Sequence, residues 1–362
     1  MNSYIYDLLK KALSGLDISE LPEIQLESPK VAKHGDVSTN IAMLLAKPLR
    51  QNPRTIAQQL LDAMPLDPQV LEAIEIAGPG FINFRFAKEY VYQQLRAIIK
   101  EGSDFGKYGD ITSKILVSKK TKLKASIVAK ENAIVCGTEF AVQTFKALNS
   151  KIKIKVLKKD GSKVVKGNKI INVNGDAQSI LIAERTALNF LGFMSGIATK
   201  TRKFVDIAAP YGVKIYSTRK TIAGMRQVQK YALTIGGAHV NRASLSDFYF
   251  IKDNHLGNKE GLVENIKKIR RSKLKKKITV EIDTIKQLKK ILNQKIDIAL
   301  LDNMSEKQIS QCLKIVKKRF LCEASGNINL KNIKSYAKTK VDRISIGQLT
   351  HSIENVDFGL EI

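Results

Sequence analysis

Several short stretches of the chain end in residues that can hold charge. Arg219, Lys220, Arg242 and Lys252 supply cations, Glu281 and Asp302 supply carboxylates, and Ser325-Gly326 and Gly347 form turns that bare backbone N–H groups. Guanidinium forks match the paired oxygens of carboxylates and phosphates. Glycine turns present N–H donors to a phosphate. Two carboxylates in so basic a setting are costly unless they hold a divalent cation or accept from sugar hydroxyls. The set suits a phosphoribosyl ligand carrying several negative charges, together with Mg²⁺. Taken singly, each residue is an ordinary surface ion-pair partner, so the inference belongs to the group.

The elements that must position them are apolar runs with polar C-terminal ends, at 213–220, 247–255, 278–283, 296–303, 319–326 and 343–347. Amphipathic helical segments such as Ser305–Lys318 lie between the later ones. Strand and helix in alternation predict a parallel α/β architecture. Because the polar residues close each run, where barrel enzymes keep their chemistry, a barrel is expected rather than an open sheet. Upstream, β-branched runs at 115–117, 152–156 and 169–173, broken by Gly and Asn-Gly, predict an antiparallel sheet, and an apolar stripe over Ser179–Met194 predicts a long helix. Residues 1–106 read as a compact α/β unit. It opens with a helical pattern through Tyr4, Leu8, Leu9, Ala12 and Leu13, with further helices over Ser38–Leu49 and from Asn52-Pro53, a strand pair around 77–80, and a helix over Tyr90–Lys100. The loop at 103–108 is the expected boundary.

Of the 362 residues, 44% are apolar, with no apolar run near the ~20 residues of a membrane helix. The first residues do not form a signal-peptide pattern, so a soluble protein of the cytoplasm, with no membrane partner, is expected. The net charge of +27 is uneven: residues 1–106 hold 11 Lys and Arg against 13 Asp and Glu, leaving 50 against 21 downstream. Such a field attracts nucleic acid or phosphorylated small molecules without choosing between them. The Lys-rich stretch 267–277 reads most simply as a solvated helix end and loop. Cys136, Cys312 and Cys322 are far apart and without a C-x-x-C pair, so they are expected to be buried apolar side chains rather than metal ligands or disulfides.

Ordered motifs extend this reading. Ala183-Glu-Arg-Thr-Ala-Leu-Asn-Phe-Leu, Ser195-Gly-Ile-Ala-Thr, Ser217-Thr-Arg-Lys-Thr, Ile251-Lys-Asp-Asn-His, Leu301-Asp-Asn-Met, Glu323-Ala-Ser-Gly and Ser345-Ile-Gly-Gln-Leu-Thr-His-Ser closely resemble the quinolinate phosphoribosyltransferases, from Gly109-Asp-Ile-Thr to the end. The resemblance implies an open α/β sandwich (107–194 plus 352–362) followed by a seven-stranded TIM-like α/β barrel (195–351). It implies a homodimer in which Arg185 acts in the partner site. It places Arg219, Arg242 and Lys252 on the two quinolinate carboxylates, with Thr218 and Lys220 in the same pocket. Glu281 and Asp302 would hold the ribose hydroxyls and Mg²⁺, and Ser325, Gly326, Gly347 and His351 the 5-phosphate. The implied substrates are quinolinate and phosphoribosyl pyrophosphate, and the implied chemistry needs no nucleophile or general base. The sequence departs from the family at several points. Asn241 replaces a histidine and cannot carry positive charge, which is expected to lower quinolinate affinity. His239, two residues earlier, is a candidate substitute, set against an ordinary loop histidine. Ala238 replaces a glycine and needs a negative φ. Ala223 and Gln348 replace a proline and a small residue, from which looser loops are expected.

Residues 1–106 resemble the N-terminal additional domain of arginyl-tRNA synthetase through His34-Gly-Asp-Val-Ser-Thr-Asn-Ile-Ala, Leu45-Ala-Lys, Asn52-Pro-Arg-Thr-Ile-Ala and Ala77-Gly-Pro-Gly-Phe-Ile-Asn-Phe. In the synthetase that domain touches tRNA. Here the His-x-Gly-His and Lys-Met-Ser-Lys-Ser signatures are missing, which excludes aminoacylation, and the segment lacks a basic footprint. The alternative to an active transferase is a weakened fusion protein that binds tRNA through this domain. If the unit is a passenger, a truncation beginning near Glu89 stays soluble and keeps the activity of the full chain; loss of all soluble protein would show that the two parts are inseparable.

Overall fold

The computed structural model describes residues 2–16, 22–27, 35–87, 110–242, 245–252, 255 and 261–362. The expected helix at 90–100, the junction at 103–108, and His34, Gly109, Asp253 and Asn254 of the motifs lie outside the described residues. Contacts cluster into two units, Met1–Gly102 and Ser103–Ile362.

The first unit contains α1 (Asn2–Leu13), β1 (Val37–Thr39), α2 (Ile41–Leu49), α3 (Pro53–Asp62), β2 (Leu71–Ala77) and β3 (Phe81–Phe86), with an antiparallel sheet in the order β1-β3-β2. Asn52 caps α3, its Oδ1 accepting from Arg54 N at 2.8 Å, and Pro53 stands where no N–H is needed. Gly78 and Gly80 turn the β2–β3 hairpin with φ of 51° and 130°. Ser38 and Thr39 do not open α2 as expected; they pair with Asn83 and Ile82 in the sheet. The extended Val37 and Thr39 suit a strand, and the Thr39 hydroxyl accepts from Ile41 N at 3.3 Å where the helix starts. Ile5, Leu9, Ile41, Leu45, Ile56, Leu60, Ile82 and Phe84 close this unit's core.

The second unit opens with α4 (Ile111–Leu116), capped by Asp110, whose Oδ1 accepts from Ser113 N at 2.9 Å. The run at 115–117, expected as a strand, is instead the exposed end of this helix, because the cap sets the local conformation before β propensity can act. Next come β4 (Lys122–Ala129), β5 (Ala133–Ile134), α5 (Thr138–Leu148), β6 (Lys153–Val156), β7 (Lys163–Val164) and β8 (Lys169–Asp176). Strands β4, β8 and β6 form the expected antiparallel sheet, and the chain's final strand, β15 (Phe358–Glu361), returns to pair with β4.

The long helix α6 (Ala177–Ala208) runs 32 residues, well past Met194, so the expected division at 194/195 falls inside one continuous element. Its first half (Ile180, Ala183, Ala187, Leu191) fills the antiparallel sheet's core, and its second half (Met194, Ile197, Ala198, Phe204) fills the core under the parallel sheet. Composition alone would let this helix cross a bilayer, yet 56% of its most apolar window is buried within the protein. Gly196 makes the packing fit: a Cβ there would stand 2.1 Å from the Glu354 carbonyl oxygen, on the segment leading to β15.

The parallel sheet has the order β10 (Tyr249–Ile251), β11 (Ile278–Ile282), β12 (Ile298–Asp302), β13 (Leu321–Ser325), β14 (Arg343–Ser345), β9 (Lys214–Tyr216). Each of the six apolar runs expected as parallel strands is one of these. A parallel bridge from Tyr216 to His239 extends the ladder at the β9 edge; among the described residues no pairing joins that bridge to β10. Strand residues alternate in direction. Ile251, Val280, Ile282, Ala299, Leu301, Cys322, Ala324 and Ile344 face the helix-covered core. The opposite parity carries Phe250, Glu281, Leu300, Asp302, Glu323, Ser325 and Ser345. The three cysteines are buried as expected, and burial pushes the thiols of Cys312 and Cys322 up to about 11 and about 12.

Gly196→Ala is expected to cost about 1–3 kcal/mol, because the helix and the returning chain are both fixed. An unchanged unfolding midpoint would show that the C-terminal strand does not depend on this contact.

Candidate active site

The polar parity of the sheet opens onto a cavity of about 900 Å³ at the C-terminal ends of the strands. Thr218, Arg219, Lys220, Asn241, Arg242, Lys252, Glu281, Asp302, Ser325, Gly326, Gly347 and His351 all line it. Arg185 does not; it lies exposed on α6. Residues spread over more than a hundred positions meet because each strand delivers its last side chains to the same rim. Lys252, one step past the β10–β11 register, pairs with Glu281 at 3.5 Å. Asp302 ends β12 opposite Ser325, and its Oδ2 accepts from Asn303 Nδ2 at 2.7 Å.

Backbone conformation builds the turns. Gly326 has φ of 95°, and a Cβ there would lie 2.2 Å from Asn303 Oδ1, so only glycine fits between the β12 and β13 ends. Asn303 and Asn327, also at positive φ, are bonded to each other, Nδ2 of Asn327 donating to Oδ1 of Asn303 at 3.3 Å. Gln348 does not loosen its loop as expected. Its Nε2 donates to the Ile328 carbonyl at 2.7 Å and ties the turn at Gly347 to the loop after β13. The loop after β9 is likewise held: buried Gln229 accepts from Ile222 N at 2.8 Å and donates to the Thr350 carbonyl at 2.9 Å. The Thr350 hydroxyl in turn donates to the Lys220 carbonyl at 2.6 Å.

The substituted glycine and histidine are both accommodated. Gly237, not Ala238, takes the positive φ (95°). His239 does not bring the missing charge to the pocket, because it stacks on Tyr216 at 5.1 Å outside the cavity lining. Asn241 does face the cavity and does bond a carboxylate, but the carboxylate is the chain's own: its Nδ2 donates to Glu323 Oε1 at 3.2 Å.

Glu323 is one of the residues that sequence reasoning missed. It is wholly buried in the cavity floor, accepts from the Ser345 hydroxyl, and pairs with Arg343 at 2.5 Å. Arg343 in turn lies over the Tyr216 ring at 4.6 Å. The buried acid is therefore charge-compensated by Arg343 and hydrogen-bonded through Oε1, while Oε2 is held by the ion pair alone. Phe248 and Phe250, also missed, line the wall beside Arg242. Position gives the signal for both kinds: Glu323 stands two residues before Ser325, and Phe250 two before Lys252, so strand parity turns them to the same side. Lys230, in α7 (Arg226–Ile235), is a buried cation whose Nζ donates to the Arg242 carbonyl. Burial, and then Arg226, push its pKa down to about 8. Arg242 is shifted down by burial and by Arg219.

Comparison with known proteins matches this site to a family. The profile of the quinolinate phosphoribosyl transferase C-terminal domain matches residues 197–361, and that of its N-terminal domain residues 110–195. A probable nicotinate-nucleotide pyrophosphorylase (carboxylating) of Methanocaldococcus jannaschii is 40% identical over 285 residues, spanning 76% of this chain and 98% of the relative. The chain belongs to the quinolinate phosphoribosyltransferase family. The chloroplastic nicotinate-nucleotide pyrophosphorylase of Arabidopsis thaliana is 34% identical over 311 residues, 80% of this chain and 88% of the relative. Among solved structures, the nicotinate-nucleotide pyrophosphorylases of Francisella tularensis and Ehrlichia chaffeensis each superpose with a TM-score of 0.70, at 35% and 36% identity. They cover 75% and 76% of this chain, and 95% and 98% of their own. Residues 3–86 match the arginyl tRNA synthetase N-terminal domain.

An unfolded lysine keeps its proton to about 10.5, so between about pH 8 and that value the unfolded chain binds more protons than the folded one. The penalty of burying the Lys230 ammonium is full below about 8 and is relieved as pH rises. Relative to Lys230→Met, the wild type is expected to gain up to about 3 kcal/mol between pH ~7 and pH ~10, read from unfolding midpoints. Parallel pH curves for the two proteins would contradict this.

Proposed function

We propose that the chain joins quinolinate to phosphoribosyl pyrophosphate, yielding nicotinate mononucleotide, CO₂ and pyrophosphate. The observation that carries this reading is the single cavity shared by Arg219, Lys220, Arg242, Lys252, Glu281 and Asp302. Arg219, Arg242 and Lys252 grip the two ring carboxylates, beside Thr218 and Lys220. Glu281 and Asp302 accept from the ribose hydroxyls, while the turns at Ser325-Gly326 and Gly347, with His351, surround the 5-phosphate. Held this way, the pyridine nitrogen bonds to C1 of the ribose as pyrophosphate leaves. The 2-carboxylate then departs as CO₂, its electron pair remains on the ring carbon, and that carbon takes a proton. The chain's contribution is alignment and a field of cations facing first the leaving group and then the ylide. Lys252 has a second duty, since its pairing with Glu281 offsets the repulsion between that acid and a phosphorylated substrate.

One or two carboxylates together with substrate phosphates are the usual donors to Mg²⁺, and Glu281 and Asp302 both open onto the cavity. They would hold the ion, which when bound would offset phosphate charge. In a homodimer Arg185 would act in the site of the second copy, a role that its exposure and its absence from its own chain's cavity lining support. The cytoplasm is the proposed setting.

Purified protein given quinolinate, phosphoribosyl pyrophosphate and Mg²⁺ is expected to form nicotinate mononucleotide. Arg219→Ala is expected to lower kcat/KM at least about a hundredfold, the scale of losing a charge-assisted contact to a carboxylate. No product from the wild type sinks the reading. The match of residues 3–86 favours a second one, tRNA binding; salt-sensitive tRNA retention without turnover would establish it in place of the first.

A further inference from the structure

Arg242 is held differently from Lys252 and Arg343, the cations paired with acids around the cavity. Lys252 faces Glu281 at 3.5 Å and Arg343 faces Glu323 at 2.5 Å, whereas among the described residues Arg242 has no carboxylate at ion-pair distance. Its guanidinium carbon instead lies 5.4 Å from the Phe248 ring centroid and 5.0 Å from that of Phe250. The two rings meet edge to face, 6.2 Å apart, and Phe250 also lies under the Lys252 ammonium at 5.1 Å. Both are cavity-lining residues, Phe250 on β10 and Phe248 in the turn just before it.

This arrangement has a chemical consequence. A carboxylate that fixed Arg242 would also cancel its charge, and an anionic substrate would then have to displace that partner. An aromatic face attracts the cation through its quadrupole and leaves the full positive charge available. Arg242 is buried beside the like charge of Arg219, with Asp247 acting on it only as a more distant favourable charge, so a support that adds attraction without neutralisation suits the position. An aliphatic wall of equal size would fill the space and leave the guanidinium free to turn toward the acids of the rim.

The geometry points to Phe248 and Phe250 as positioning residues that hold the Arg242 guanidinium aimed into the cavity without a carboxylate partner, and so set the affinity for the dianionic pyridine substrate. This rests on the proposed role of Arg242 at a substrate carboxylate. The test is direct binding of quinolinate by calorimetry to wild type, Phe250→Leu, Phe248→Leu and Phe250→Tyr, with turnover and unfolding midpoints measured on the same proteins. Each leucine variant is expected to raise the Kd for quinolinate about three- to tenfold, the range of a desolvated cation–π contact, with the KM for phosphoribosyl pyrophosphate within about twofold of wild type. Phe250→Tyr keeps a π face and is expected to stay within about twofold. The proposal is overturned if leucine leaves the quinolinate Kd unchanged, if tyrosine loses as much as leucine, or if affinities for both substrates fall together, as a merely structural role would produce. Wild type that binds quinolinate without forming product refutes the catalytic reading and leaves the aromatic support to stand on the Kd values. Wild type that does not bind quinolinate overturns both.

Discussion

The register of the parallel sheet is the constraint on which the site depends. Parallel strands that pair in step bring their C-terminal ends to one rim, and alternation along each strand sends every second side chain to the same side. In β11, β12 and β13 that arithmetic puts Val280, Ala299 and Cys322 into the helix-covered core and Glu281, Leu300 and Glu323 onto the cavity side, row against row. A slip of one residue in any strand would bury its acid among aliphatic side chains and expose its core residue. The apolar core and the charged pocket are two faces of one register, and the hydrophobic gain from the first secures the position of the second.

Charge is graded with depth. At the floor, Glu323 and Arg343 cancel each other and are fixed by Ser345, Asn241 and the Tyr216 ring. On the wall, Lys252 is paired with Glu281, and Arg242 rests on aromatic faces. On the exposed loop after β9, Arg219 and Lys220 stand toward solvent. The buried acid is thus compensated where water is absent, and cations without an acid partner, buried Arg242 among them, face the space a polyanion would enter, a carboxylate out of water being costly when unpaired. Asn241 fits this order. The neutral amide is used inward, on Glu323, where an additional cation beside Arg343 would have upset the pairing.

Helix α6 joins the two halves of the second unit, one end in each core, and glycine lets the returning C-terminal segment lie directly against its backbone. The first unit has its own closed core and its own hairpin. It contributes to the chain a fold matched to the arginyl tRNA synthetase N-terminal domain, with an acidic rather than basic balance of residues.

The order and type of most elements were legible in the sequence, because apolar periodicity and Asn-Pro or glycine punctuation are local signals. The six strand runs and the helix from Pro53 are examples. Local signals misled where a cap competed with them, at Asp110, where Ser38 and Thr39 paired in the sheet ahead of the helix, and where an apolar stripe continued past Met194. Motif resemblance named the residues of the cavity, and it failed to foresee how they are supported. Gln348 reads as a loosening substitution and is a clamp; His239 reads as a spare cation and is stacked away; Phe248, Phe250 and Lys230 stand in no motif, and Glu323 stands in one without a role. The chain by itself determined which residues can bear charge and which strands carry them. Only the tertiary structure decided which charges face each other, because ion pairing depends on register between strands far apart in sequence, and no local pattern encodes it.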